Sequence, residues 1–238
     1  MTSTEQNLNA VIPAAGIGRR MGSDIPKQYL TLNNKRVIEH TIERLLSIRA
    51  IQKVVVVFAA HDEVWPSLEI DHNHRVVTAE GGEERFHSVL NGLHAVPASG
   101  DDSWVLVHDA ARPCIRPQDI KNMVEQLRNH PVGGILGAPV RDTLKKSDSA
   151  NNILDTVDRA ALWHAFTPQM FRLDPLRNAL QNVVESQGIV TDEAQAIERS
   201  GLIPALVEGH HDNIKITHPN DLVLAGLYLD TQRASGII

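Results

Sequence analysis

The sequence is poor in several things, and each shortage excludes something. A single cysteine, Cys114, excludes an internal disulfide, and a chain of 238 residues is long enough to bury a core without one. Basic charge is outnumbered, with 23 Lys plus Arg against 29 Asp plus Glu and a net charge of −6. A chain of that balance is a poor non-specific partner for nucleic acid or acidic lipid, so any phosphate it binds must meet a local basic cluster. No apolar run reaches the roughly 18 residues of a membrane-spanning helix. The segment from Met1 to Asn9 lacks the basic-then-apolar order of a signal peptide. Repeats and low-complexity tracts are missing too. What remains is ordinary: 42% hydrophobic and 22% charged residues exclude disordered, collagen-like and coiled-coil chains. The expectation is a folded cytoplasmic protein with neither nucleic acid nor membrane as partner.

Short β-branched runs alternate with amphipathic stretches, the pattern of βα units feeding a mostly parallel sheet. Strands are expected at Leu8–Pro13, Lys53–Phe58, Arg75–Thr78 and Trp104–His108, with helices over Arg36–Ile48, Glu83–Val96 and Gln118–Arg128. Within the runs KVVVVF and WVLVH, the stretches VVVVF and WVLV are apolar, as strands buried on both faces are. From Pro139 the character changes. Two polar, β-compatible limbs flank a Ser/Asp/Asn tip and read as a projecting hairpin, too polar to pack on its own domain. Its cheapest partner is a second copy of the chain, which makes a homodimer the expected assembly. Helices near Leu173–Gln187 and Asp192–Ser200, a strand pair at Ala205–Glu208 and Asn213–Ile216, and a closing helix from Pro219 complete the chain. The fold class is α/β, a Rossmann-like three-layer sandwich. One domain is expected over 1–138 and 163–238, with a β-arm inserted at 139–162.

The richest chemistry lies in Pro13-Ala-Ala-Gly-Ile-Gly-Arg-Arg-Met21 and the Pro26-Lys27 that follows. Small residues after a first strand let backbone N–H groups form a concave nest for phosphate oxygens. A P-loop is excluded because no Gly-Lys-Ser/Thr closes the segment. A dinucleotide loop is excluded because Met21 stands where Gly or Ala belongs. Arg20 and Lys27 on one loop suit a triphosphate and its leaving group, the alternative being a Gly-rich turn without a ligand. Further on, Gly81-Gly82 leaves room for a flat base whose polar edge backbone groups and Ser88 can read, unless Ser88 merely faces solvent. Asp109 and Arg112 follow a buried strand at the edge where open α/β sheets hold ligands. They could equally be a local ion pair closing a turn. Lys215, between two isoleucines, calls for a partner. Cys114 lacks the context of a nucleophile and reads as a structural thiol. The twelve histidines keep no zinc-site spacing.

The first loop resembles the signature loop of the sugar-nucleotide pyrophosphorylase superfamily. With Pro26-Lys27-Gln-Tyr it is similar to the 2-C-methyl-D-erythritol 4-phosphate cytidylyltransferases of the non-mevalonate isoprenoid pathway. Gly81-Gly-Glu-Glu-Arg85 with Ser88-Val, Val107-His-Asp-Ala-Ala-Arg-Pro113, Pro139-Val-Arg-Asp-Thr143, Thr156-Val-Asp-Arg159, Thr167-Pro-Gln, Thr191-Asp-Glu-Ala and Asn213-Ile-Lys-Ile carry the likeness in the expected order from about residue 10 to 230. Glu83 departs from the Asp expected there.

The resemblance implies a reaction of CTP with 2-C-methyl-D-erythritol 4-phosphate to give the CDP-alcohol and pyrophosphate. It implies Arg20, Lys27 and Lys215 as the catalytic cations, with Lys215 on the α-phosphate. Ala14, Ala15, Gly16, Gly18, Gly82, Glu83, Ser88 and Asp109 would bind the nucleotide, Asp109 at the ribose or at the acceptor's hydroxyls. Arg112, Thr143, Arg159, Thr167 and Thr191 would bind the acceptor, with Thr143 and Arg159 reaching a neighbour's site from the arm; their alternative is a solvent-facing hairpin. Mg²⁺ is implied as cofactor, held mainly by nucleotide phosphates and with no firm protein ligand. Two other functions stay open: a ribitol-5-phosphate cytidylyltransferase, and a nucleotide-sensing module without catalysis.

Overall fold

The computed structural model describes residues 8–16, 25–97 and 103–238. The expectations for Gly18 and Arg20 lie outside the described residues. Within them the chain forms eleven strands: β1 (Leu8–Pro13), β2 (Thr31–Leu32), β3 (Lys35–Arg36), β4 (Ile51–Phe58), β5 (Val76–Glu80), β6 (Trp104–Val107), β7 (Gly133–Pro139), β8 (Leu144–Ser147), β9 (Ile153–Val157), β10 (Trp163–Arg172) and β11 (Ala205–Glu208). Six α-helices accompany them: α1 (Val37–Leu46), α2 (Arg85–Ala95), α3 (Pro117–Leu127), α4 (Leu173–Glu185), α5 (Glu193–Arg199) and α6 (Pro219–Ala234).

Seven strands make the central sheet in the order β11-β7-β10-β6-β1-β4-β5. Only β10 runs against the rest, pairing antiparallel with β6 and β7 while the other pairs are parallel. The alternation of side chains along each strand sets the layers. Leu8, Ala10 and Ile12 of β1 face one way and join Ile38, Ile42 and Leu45 of α1 and Ile120 and Met123 of α3 in one core. Val11, with Val55, Val57, Val105 and Val107, faces the other way against α2, α4 and α5. That is the three-layer, Rossmann-like sandwich. A third small core places α6 over the loop containing Ala111 and Cys114.

The expected elements recur with ends shifted by a few residues; the sequence does not show the two-residue strands β2 and β3, nor β7 and β10 of the central sheet. β7, GGILGAP, is glycine-rich because its neighbours press close: a Cβ on Gly134 would stand 2.3 Å from the Ala205 carbonyl oxygen. β10 contains Pro168, which cannot donate to a ladder; its pairing with β7 shifts register between Ala165 and Gln169 and resumes beyond. The expected strand at Asn213–Ile216 is corrected: no strand forms there, and the segment is an extended connection tied by the Ile216 N–H to the Ala111 carbonyl at 2.9 Å. β8 and β9 pair only with each other, in a separate two-stranded ribbon.

After β1 the chain crosses to β4 and β5 on one side, then returns to β6 on the other. The ends of β1 and β6 therefore flank a topological switch point, where open parallel sheets leave a crevice.

Candidate active site

That crevice is a cleft of about 350 Å³ lined by Pro13–Gly16, Lys27, Gln28, Gly82–Arg85, Ser88, Asp109–Ala111, Lys215 and Thr217. Nine expected residues line it: Ala14, Ala15, Gly16, Lys27, Gly82, Glu83, Ser88, Asp109 and Lys215. The first loop is held from below by Gln28, whose amide donates to the Ala14 carbonyl at 2.6 Å and the Gly16 carbonyl at 3.1 Å. Lys27 and Gln28 sit on one short 3₁₀ turn with Tyr29, whose buried hydroxyl donates to Asp62 at 2.6 Å. The Lys27 ammonium donates to the Ile216 carbonyl at 3.0 Å, joining the turn to the connection that carries Lys215. Ser88 does not face solvent. It is buried, and its hydroxyl accepts from the Gly82 N–H at 3.1 Å, closing the turn before α2.

Asp109 is the electrostatic centre. Its carboxylate meets Arg85 Nη2 at 3.1 Å, Lys215 Nζ at 2.9 Å and Arg112 Nε at 3.4 Å. Burial alone would raise its pKa, but the positive charges of Arg85, Lys215 and Arg112 outweigh that and hold it well below the carboxylate range. Asp109 and Arg112 form the local ion pair, and Asp109 also lines the cleft, whereas Arg112 does not. Arg112 lies behind Asp109, donating to the Asn213 carbonyl at 2.7 Å.

Beneath Asp109 runs a buried chain of hydrogen bonds. The Asp109 N–H donates to the Thr167 hydroxyl at 3.0 Å, that hydroxyl donates to His108 Nδ1 at 3.0 Å, and His108 Nε2–H donates to the Arg112 carbonyl at 3.1 Å. This pattern needs a neutral imidazole, and burial pushes the His108 pKa down to about 4. Thr167 is therefore behind the cleft wall, its hydroxyl in use. Thr191 is exposed, its N–H donating to Gln195 Oε1 at 2.8 Å. Thr143 and Arg159 are exposed on the arm, outside the cleft lining, and the Arg159 guanidinium donates to the Arg141 carbonyl. Cys114 is buried, with burial and nearby Asp212 raising its thiol to about 12, an inert state.

Sequence reasoning passed over Arg85, Glu193 and Gln28. Arg85 forks between Asp109 and Glu193, whose two oxygens lie at 2.6 and 3.2 Å. All three lie inside motifs already singled out, but nothing local distinguishes them from surface polar residues.

A family model described as 2-C-methyl-D-erythritol 4-phosphate cytidylyltransferase matches residues 8–231. The chain belongs to that family. Curated cytidylyltransferases of this name from Aeromonas hydrophila and Vibrio cholerae are 51% and 50% identical, covering 98% and 95% of this chain and 94% and 98% of their own. A crystal structure of the cytidylyltransferase from Francisella tularensis superposes with a TM-score of 0.80 at 36% identity, over 94% of this chain and all of that one.

Proposed function

We propose that this chain transfers the cytidylyl group of CTP to 2-C-methyl-D-erythritol 4-phosphate, giving 4-diphosphocytidyl-2-C-methyl-D-erythritol and pyrophosphate. The observation that carries the reading is the convergence of Lys27 and Lys215 with the small-residue loop Ala14–Gly16 and the Gly82–Ser88 turn in one cleft. An acceptor phosphate oxygen attacks the α-phosphorus, the new P–O bond forms, and the bond to the β-phosphate oxygen breaks as pyrophosphate leaves. The acceptor phosphate is already a nucleophile, so no general base is required, and the work is in-line positioning and charge neutralisation. Lys27 and Lys215, with Arg20, neutralise the α-phosphate and the departing pyrophosphate. Backbone N–H groups of the first loop hold phosphate oxygens; Gly82, Glu83 and Ser88 surround the base.

The donor set fits a magnesium ion carried by nucleotide phosphates. Among the described residues no group of three or more His, Cys, Asp or Glu is placed to hold a metal. Asp109 is already engaged by three cations, leaving Glu83 and Glu84 as the cleft's other carboxylates. When bound, the ion supplies further neutralisation of phosphate charge.

The arm supports a homodimer. Ile153 and Leu154 of β9 are 67% and 60% exposed on a ribbon that, among the described residues, has no further sheet partner. Docked on a second copy, it would bring Thr143 and Arg159 to the partner's acceptor phosphate, with Arg112 and Thr167 supporting that site from behind Asp109. The enzyme would work in the cytoplasm; among the described residues no helix is long and apolar enough to cross a membrane.

The test is pyrophosphate release with CTP, Mg²⁺ and either the branched tetritol phosphate or ribitol 5-phosphate, and with ATP or GTP replacing CTP. Release should require CTP and the tetritol phosphate. Preference for ribitol 5-phosphate, equal use of purine nucleotides, or no release at all would each refute the assignment.

A further inference from the structure

Glu193 is an unusual place for a carboxylate. Its side chain is fully buried at the first position of α5, and its two oxygens receive the guanidinium of Arg85, itself the first residue of α2. A buried ion pair is weak evidence for stability, since apolar replacements often do as well. Another reason for it lies 3 Å away. The same guanidinium presents Nε and Nη2 to Asp109, at 3.2 and 3.1 Å.

Asp109 is also where the Lys215 ammonium rests, at 2.9 Å. For Lys215 to reach a substrate phosphate it must leave that carboxylate, and a buried carboxylate abandoned by its cation is costly. Two cations remain to compensate it. Arg112 is the more distant at 3.4 Å, and its Nη1 is engaged by the Asn213 carbonyl. Arg85 is the nearer, and its fork is fixed on the far side by Glu193. With Lys215 counted, the cluster holds three cations and two carboxylates; with Lys215 on a phosphate, two and two.

We propose that Glu193 is a positioning residue for the transfer reaction: it locks Arg85 onto Asp109, so that Lys215 can exchange Asp109 for a phosphate oxygen of the substrate. Arg85 is the standing partner and Lys215 the exchangeable one. The side chains carry this asymmetry: Lys215 is 35% exposed at the cleft, whereas Glu193 is sealed. The inference rests on the reading of the chain as a cytidylyltransferase.

The experiment is a double-mutant cycle between Glu193→Gln and Lys215→Met, with kcat and KM for CTP measured by pyrophosphate release and folding checked by thermal melting. Glu193→Gln should lower kcat by about tenfold. Lys215→Met should cost about a hundredfold in the native background and about tenfold or less beside Glu193→Gln, because the lysine is then no longer released properly. A role confined to stapling α2 to α5 predicts a lowered melting temperature with the same hundredfold cost in both backgrounds, and that result overturns the proposal. Native kcat in Glu193→Gln overturns it too. If Glu193→Gln does not fold, Arg85→Lys takes its place in the cycle, keeping a cation near Asp109 while giving up the fork, with the same outcomes. A native chain that releases no pyrophosphate overturns the functional reading and this inference together; additive costs in an active enzyme overturn this inference alone.

Discussion

Substituting Gly81 by alanine tests how tightly the two halves of the cleft are built against each other. A Cβ at Gly81 would lie 2.4 Å from the Ala15 Cβ, 3.1 Å from the Ser88 hydroxyl and 3.3 Å from the Phe58 carbonyl oxygen. The Phe58 carbonyl cannot retreat cheaply, because it belongs to β4 and accepts the Gly81 N–H at 2.8 Å. Ordinary contact begins near 3.4 Å, so Ala15 and the loop Ala14–Gly16 must give way by about 1 Å. Overpacking of this kind costs about 1–3 kcal/mol, which for a chain of this size is a fall in Tm of about 2–12 °C. The kinetic effect should be larger, since a displacement of about 1 Å at a positioning element can cost about 10²-fold. Gly81→Ala should therefore remain folded, melt somewhat earlier, and lose about two orders of magnitude in kcat/KM for CTP by pyrophosphate release. Native kcat/KM together with a native Tm would show that Ala15 is not seated against Gly81, and the cleft geometry would have to be redrawn.

Lys27→Ala should lower kcat by about 10²–10³-fold with little change in Tm, as loss of a transition-state charge partner does; unchanged turnover would remove Lys27 from the mechanism. Mixing Arg159→Ala chains with Lys27→Ala chains should restore about a quarter of native activity, since half of randomly formed dimers are hybrid and each hybrid has one intact site. Hybrids that form and stay inactive would place the site within one chain. His108 is neutral in the fold, with its pKa lowered to about 4 from 6.5. Below pH 6.5 the unfolded chain therefore takes up the proton first, and stability present at neutral pH is lost as the pH falls towards 4, by about 3 kcal/mol for this group. Urea unfolding of His108→Gln should show a shallower fall across that window, and an identical pH profile would refute the assignment of a neutral buried imidazole.

Much of the architecture could be read from the sequence because β1, β4 and β6 are buried on both faces over most of their length and carry dense apolar stretches. The strands that escaped notice obey other constraints. β7 trades side chains for the close approach of β10 and β11, and β10 carries a proline through a change of register; neither has the local signature of a strand. Asn213–Ile216 misled in the opposite sense, its β-branched residues serving to seat a connection against Ala111 rather than to pair in a sheet. In the cleft, the small-residue loop and Lys27 were legible because glycine, alanine and a basic residue after a first strand carry their chemistry locally. Arg85 and Glu193 were not legible as partners. They stand 108 positions apart, and only the stacking of α2 and α5 on one face of the sheet makes them neighbours.

That separation explains how an acidic chain assembles a cluster of cations at one cleft. The cations come from four distant segments, carrying Lys27, Arg85, Arg112 and Lys215, and positive groups brought together in a partly buried cleft repel one another unless carboxylates are interleaved. Asp109 and Glu193 are those carboxylates. Lys215 rests directly on one of them, the Asp109 carboxylate, at 2.9 Å. Detaching Lys215 breaks a charge-assisted hydrogen bond and leaves a buried carboxylate short of one cation. A cluster that compensates Asp109 from behind, through Arg85 and Arg112, is what allows Lys215 to remain usable at the cleft.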